Sequence, residues 1–141
     1  MDKKVVANEV ILEDAAALML EGREVTLRPL GNSMLPFIRG GRDSVRLKKM
    51  PTVTVGDMLL VRLNGPRYVL HRLIARDEDQ LTLMGDGNLA GTESCTTADV
   101  LGTVTAIERG RRVIKPGNGR WWRRIPPFFR RYILAIYRRI I

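Results

Sequence analysis

"LNGPRYVLHRLIARDEDQLTLMGDGN", residues 63–88, is the stretch on which the reading of the fold depends. Its two apolar runs, "RYVLHRLIA" and "QLTLMGD", follow a period of two and are rich in aliphatic and β-branched residues, as half-buried strands are. Turn chemistry bounds them: Asn64-Gly65 is a strong hairpin signal joining residues 58–63 to 67–75, and "RDEDQ" is a second polar turn. Working outward, similar short runs between Gly, Pro, Asn and Asp recur as "EVTLRPL", "DSVRLKK", "DMLLVRL" and "VLGTVTAIERGRRVI". The pattern predicts a mainly β domain of short antiparallel strands over residues 1–114. One helix precedes the strands, between about residues 8 and 21: Ile11, Ala15, Leu18 and Met19 recur at three- and four-residue steps, and Gly22 is a suitable stop.

With 141 residues and 45% hydrophobic content, the chain is long enough to bury a core as one domain without a covalent staple. Its single cysteine, Cys95, has no internal partner, and no His/Cys cluster has metal-ligand spacing, so neither a structural metal nor a cofactor is expected. His71 is the only histidine and therefore the only imidazole available as a proton acceptor near neutral pH.

The net charge of +9 is unevenly placed. Residues 109–141 hold eleven of the 24 Lys and Arg and none of the 15 acids, leaving the first 108 residues at −2. A near-neutral body with a basic, aromatic end fits an anionic surface reached by that end better than it fits nucleic acid. "KPGNGRWW", residues 115–122, reads as a linker, and residues 115–141 as a separate amphipathic tail. In a helix starting at Pro126-Pro127, Phe128, Phe129, Tyr132, Ile133, Ile136 and Ile140 share one face, with Arg130, Arg131 and Arg138 on the other. This is the pattern of a helix lying in a membrane interface, with Trp121 and Trp122 as headgroup-level anchors; a helix docked on its own domain is the competing reading. No cleavable signal peptide and no spanning helix is expected, which places the protein in the cytoplasm or peripherally on a membrane.

Three residues bear on chemistry. Ser33 lies in "GNSMLPFIRGG", residues 31–41, a Gly-bounded loop able to present a side chain at a cleft, although a lone serine in such a loop is far more often a turn residue than a nucleophile. His71 shares a strand face with Val69 and Leu73, where a satisfied core histidine is the plain alternative. Asp86 in "MGDGN" is a turn-former or a third catalytic group. Together they supply what a hydroxyl nucleophile requires: a serine, an imidazole to take its proton, and an acid to fix the imidazole tautomer.

"GNSMLPFI", "VGDMLLVR", "YVLHRLI" and "TLMGDGN" occur in the order and approximate spacing of the boxes of the signal peptidase and LexA-type serine peptidase superfamily, which the chain resembles over roughly residues 25–107. The resemblance implies that superfamily's folded β domain and Ser33 as nucleophile. The His71-Arg72 pair resembles the histidine branch, the archaeal and endoplasmic-reticulum type, rather than the lysine branch. It further implies His71 as general base and Asp86 as the acid of the Gly-Asp box. The histidine branch has another essential acid a few residues later, where this chain offers Glu93, so the third role stays open between Asp86 and Glu93. Met34 and Pro36 are expected to shape the substrate-binding wall. Residues 1–24 are not expected to serve as the family's usual N-terminal membrane anchor, because the helix before Ser33 is too acidic, and no helix-turn-helix is expected in them. The expected function is a serine endopeptidase acting on a leader or precursor peptide; the alternative, if the histidine is purely structural, is a non-catalytic peptide- or membrane-binding module on the same fold.

Overall fold

The computed structural model describes residues 4–6, 9–64 and 67–141. Its elements are β1 (Lys4–Val6), α1 (Glu9–Leu20), β2 (Val25–Arg28), β3 (Ser44–Lys48), β4 (Met58–Leu63), β5 (Arg67–Asp77), β6 (Gln80–Met84), β7 (Glu93–Thr96), β8 (Val100–Arg109), β9 (Arg112–Ile114), α2 (Arg120–Arg124) and α3 (Pro127–Ile140). Among the described residues the strands join one mainly antiparallel sheet in the order β1-β2-β3-β8-β4-β5-β6-β7, with β9 paired to β8. β1 runs parallel to β2.

The central strand shows why the sheet holds. "MLLVRL" is apolar almost throughout because β4 has core on both sides. Met58 and Leu60 join the cluster beneath α1, with Met19, Leu27, Val45, Leu47 and Ile107. Leu59, Val61 and Leu63 point the other way, into a cluster with Leu73, Leu81, Leu83, Cys95 and Val100. A one-residue slip would exchange the two sets and carry the half-exposed Arg62 to the face of Leu59, Val61 and Leu63, so Arg62 marks the register. Fully burying one such side chain contributes about 1.5–3 kcal/mol.

α1 packs Leu12, Ala15 and Met19 against the sheet. Met19 fits because Gly102 lies under it: a Cβ there would be 2.4 Å from the Met19 sulfur. The helix ends at Gly22, whose φ of 88° suits glycine. The β4–β5 hairpin pairs Leu63 with Arg67, and Gly65 of the expected turn lies outside the described residues. β5 and β6 are joined across Glu78 and Asp79, with Asp77 opposite Gln80.

Residues 115–119 do not form the free linker that their Pro/Gly content suggests. Arg72 Nη1 donates to the Gly117 carbonyl at 2.9 Å, and Gly119, at φ 69°, passes so close to the Arg72 guanidinium that a Cβ would meet its Nε at 2.8 Å. The short helix α2 then buries Trp122, whose Nε1 donates to the Asp86 carbonyl at 2.8 Å. Trp122 forms a third cluster with Leu35 and Leu134, joined by Ile125 and Tyr137. α3 therefore docks through Arg130, Leu134, Tyr137 and Ile141, one helical stripe at i, i+4, i+7 and i+11. Two expectations need correction. Trp122, 1% exposed, is a core residue, while Trp121 is 61% exposed. Arg130 lies on the docked stripe and is buried, whereas Arg131 is exposed.

Candidate functional site

Ser33 sits in a loop that is closed at its base. Gly41 N–H donates to the Pro29 carbonyl at 2.8 Å, and Gly40 N–H donates to Asn32 Oδ1 at 2.9 Å. Gly40 has to be glycine, since a Cβ would lie 2.3 Å from the Gly31 carbonyl oxygen. Met34, Leu35 and Ile38 anchor the loop in the core. Asp43 fixes its outgoing end by accepting from Arg39 N–H at 2.9 Å, from Arg42, and from Arg109, which also donates to the Phe37 carbonyl. Desolvation pushes the Asp43 carboxyl up, but its bonds to Arg42, Arg109 and the Arg39 amide outweigh this and hold it at about 2.

His71, on β5, is 7% exposed and flanks this loop. Its Nδ1 is hydrogen-bonded to Glu93 Oε1, from the start of β7. The pairing geometry explains the reach. Arg72 pairs with Met84 at the end of β6, so the chain beyond Met84 continues opposite His71 as Gly85. A Cβ on Gly85 would lie 2.5 Å from the Ser33 carbonyl oxygen, 2.9 Å from Asn88 Nδ2 and 3.0 Å from His71 Nε2. Only glycine lets the serine loop, the histidine ring and the 85–88 turn meet this closely. Gly87 N–H completes the junction by donating to the Ser33 carbonyl at 2.8 Å.

Asp86 is placed differently from Glu93. Its carboxylate is fully buried and receives Arg72 Nη2 at 2.6 Å and Arg72 Nε at 3.1 and 3.2 Å. Arg72 is equally buried, donates to the Gly56 and Gly117 carbonyls, and lies 5.0 Å over the Phe37 ring. Burial pushes the Asp86 carboxyl above its ordinary value, while the Arg72 and Arg123 charges act in the opposite direction. Of the two acids, Glu93 thus holds the imidazole and Asp86 holds the neighbouring arginine. Sequence spacing alone does not separate them, because Glu93 reaches His71 only through the β5–β6–β7 pairing.

Ser33 and His71 line one cleft of about 390 Å³, with Leu12, Leu27, Leu30, Met34, Val69 and Leu70 among its walls. Met34 forms part of the wall; Pro36 does not, lying in the turn behind it. Residues 67–71 of β5 pair with β4 on one side, while β6 begins its pairing only at Arg72. Among the described residues, this part of β5 therefore presents an edge to the cleft. Among the described residues Ser33 Oγ does not hydrogen-bond to His71, and neither the Ser33 nor the Met34 N–H is engaged by a backbone acceptor. No protein-family model and no curated protein matches the chain.

Proposed function

We propose that this chain is a serine endopeptidase similar to the signal peptidase and LexA-type superfamily, with Ser33 as nucleophile, His71 as general base and Glu93 as the acid that orients it. The observation that carries this reading is the two-sided placement of His71: Nδ1 on Glu93, Nε2 beside the Ser33 loop. With Nδ1–H donated to the carboxylate, Nε2 is left as the basic nitrogen, the tautomer that proton removal from a serine requires. Catalytic hydrogen bonds are often open in the free enzyme and close when substrate binds.

A peptide adds as a strand along residues 67–71, and its side chains enter the apolar cleft. Ser33 Oγ attacks the scissile carbonyl carbon as His71 Nε2 takes the hydroxyl proton. Glu93 balances the imidazolium, and the Ser33 and Met34 amides, which have no backbone acceptor among the described residues, receive the oxyanion. The imidazolium then returns the proton to the leaving amine as the C–N bond breaks. Water, activated by the same imidazole, releases the new carboxylate from Ser33. Asp86 and Arg72 have a positioning role: their ion pair holds the 85–88 turn against β5.

To test this, the purified chain and its Ser33→Ala variant are incubated with a library of precursor peptides, and new termini are read by mass spectrometry. Cleavage by wild type alone is expected. The open Ser33–His71 pair favours one alternative, a peptide-binding module without turnover. Equal peptide binding by both proteins with no new termini would establish that alternative.

A further inference from the structure

The docked stripe of α3 leaves its other side uncovered. Phe128, Phe129, Tyr132, Ile133, Ile136 and Ile140 are 40–78% exposed, and they include both phenylalanines of the helix. At 100° per residue they span an arc of roughly 140°, opposite the stripe that meets the domain. Trp121, on α2, is also exposed and stacks edge-on against Phe37. Phe128 packs on Phe129 and Tyr132 through edge-to-face contacts, so the rings form one patch rather than scattered side chains. A contiguous apolar surface of this kind marks an interaction site.

Charge identifies the occupant. Residues 109–141 contain eleven Lys and Arg and no acid; on α3 the exposed Arg131 flanks the apolar arc beside Phe128, and the exposed Arg139 lies within the arc in the last turn. A second copy on this face would bring two acid-free cationic segments together. An anionic bilayer offers both a hydrocarbon boundary for the rings and phosphates for the arginines. Among the described residues no helix is long and apolar enough to cross a membrane, so the contact is in the plane of the interface.

We infer that the exposed face of α3, together with Trp121, is a docking surface for an anionic lipid bilayer. Phe128, Phe129 and Ile136 enter the headgroup boundary, Trp121 sits at headgroup level, and Arg131 and Arg139 face the lipid phosphates. Docking through this face leaves the opposite stripe on the domain, so α3 holds the catalytic body to the surface without unfolding from it. Arg138 Nη2, which donates to the Gly87 carbonyl at 3.2 Å, links the docked helix directly to the turn beside His71.

The test uses the full chain with vesicles of phosphatidylglycerol and phosphatidylcholine, and with phosphatidylcholine alone. Wild type is expected to sediment with the anionic vesicles at least tenfold more strongly than with the neutral ones, with about a fivefold loss for each of these two arginines changed to Gln. Phe129→Ser with Ile136→Ser is expected to abolish binding while keeping the wild-type melting temperature, since both side chains are exposed. Trp121 emission should shift to the blue on vesicle addition, and Trp121→Phe should remove that shift, because Trp122 is already buried. Binding that survives the double substitution, equal binding to neutral vesicles, or absence of binding to anionic vesicles would each overturn the inference. A dimer in sedimentation that the double substitution dissociates would also overturn it, assigning the face to a second copy. Ser33→Ala should bind vesicles as wild type does, which keeps this result independent of catalysis.

Discussion

Changing Asp86 to Asn and Glu93 to Gln separates the two acids by what each change removes. The Asp86 and Arg72 side chains are both fully inaccessible to solvent and are joined through three contacts of 2.6–3.2 Å. Asp86→Asn leaves the guanidinium charge in the interior with only carbonyl partners. Removing one partner of a buried pair costs about 3–5 kcal/mol, which for a chain of this length lowers the melting temperature by about 6–20 °C. Glu93 is different: its side chain is 17% exposed, and a Gln amide oxygen can still accept the His71 Nδ1 proton. Glu93→Gln is expected to cost no more than about 1 kcal/mol of stability. It removes the charge that balances the imidazolium, so turnover is expected to fall roughly 10²–10⁴-fold. Thermal unfolding followed by near-UV circular dichroism, with peptide turnover measured on the same samples, gives both quantities. An Asp86→Asn protein that melts with wild type, or a Glu93→Gln protein as destabilised as Asp86→Asn, would refute the division of roles.

Three further outcomes follow from local geometry. Gly85→Ala drives a methyl group into the Ser33 carbonyl and toward His71 Nε2; it is expected to cost about 1–3 kcal/mol and most of the activity, as thermal melts and turnover would record. The Asp43 carboxyl, lowered from 3.8 to about 2, contributes stability at pH above its ordinary value, and this contribution is lost as pH falls from about 4 through 2. Asp43→Asn should therefore cost about 2 kcal/mol at pH 7 and almost nothing near pH 2, measured by denaturant titration at each pH. Cys95 is buried, and its thiol is pushed up to about 11 by that burial, with Asp99 adding to the shift. The native protein should resist iodoacetamide at pH 8 and react promptly once unfolded.

The strands and the helix were legible because they are local patterns. "QLTLM" buries alternate residues, "VTLR", "SVRLK" and "MLLVRL" are short apolar runs buried almost throughout and bounded by turn residues, and Gly22 marks the helix end. β7 carries no strand signal of its own in the sequence. "ESCT" buries only Cys95, so it has too little apolar alternation to be recognised without β6 beside it. The same long-range pairing hid the role of Glu93, which is distant from His71 in sequence and is brought to it across β6. Sequence placed Ser33 and His71 as candidates by residue type, and the fold sets them around Gly85. Trp122 illustrates a different limit. Its arginine-rich neighbourhood suggests a surface, but its burial depends on Leu35, Leu134 and the Asp86 carbonyl, three partners from separate parts of the chain. The amphipathic pattern of α3 was legible, whereas the face that docks is set by Leu134 and Arg130 and not by the larger aromatic residues.

The proposed activity is peptide cleavage by Ser33 activated by His71. Its most direct measurement is a comparison of peptide N-termini by mass spectrometry in source cells expressing wild type, Ser33→Ala or His71→Ala at equal levels. Accumulation of the same uncleaved precursors in both variants is the predicted result, and it would identify the cleavage site. Identical termini in all three strains, with each protein folded and present, would contradict the account.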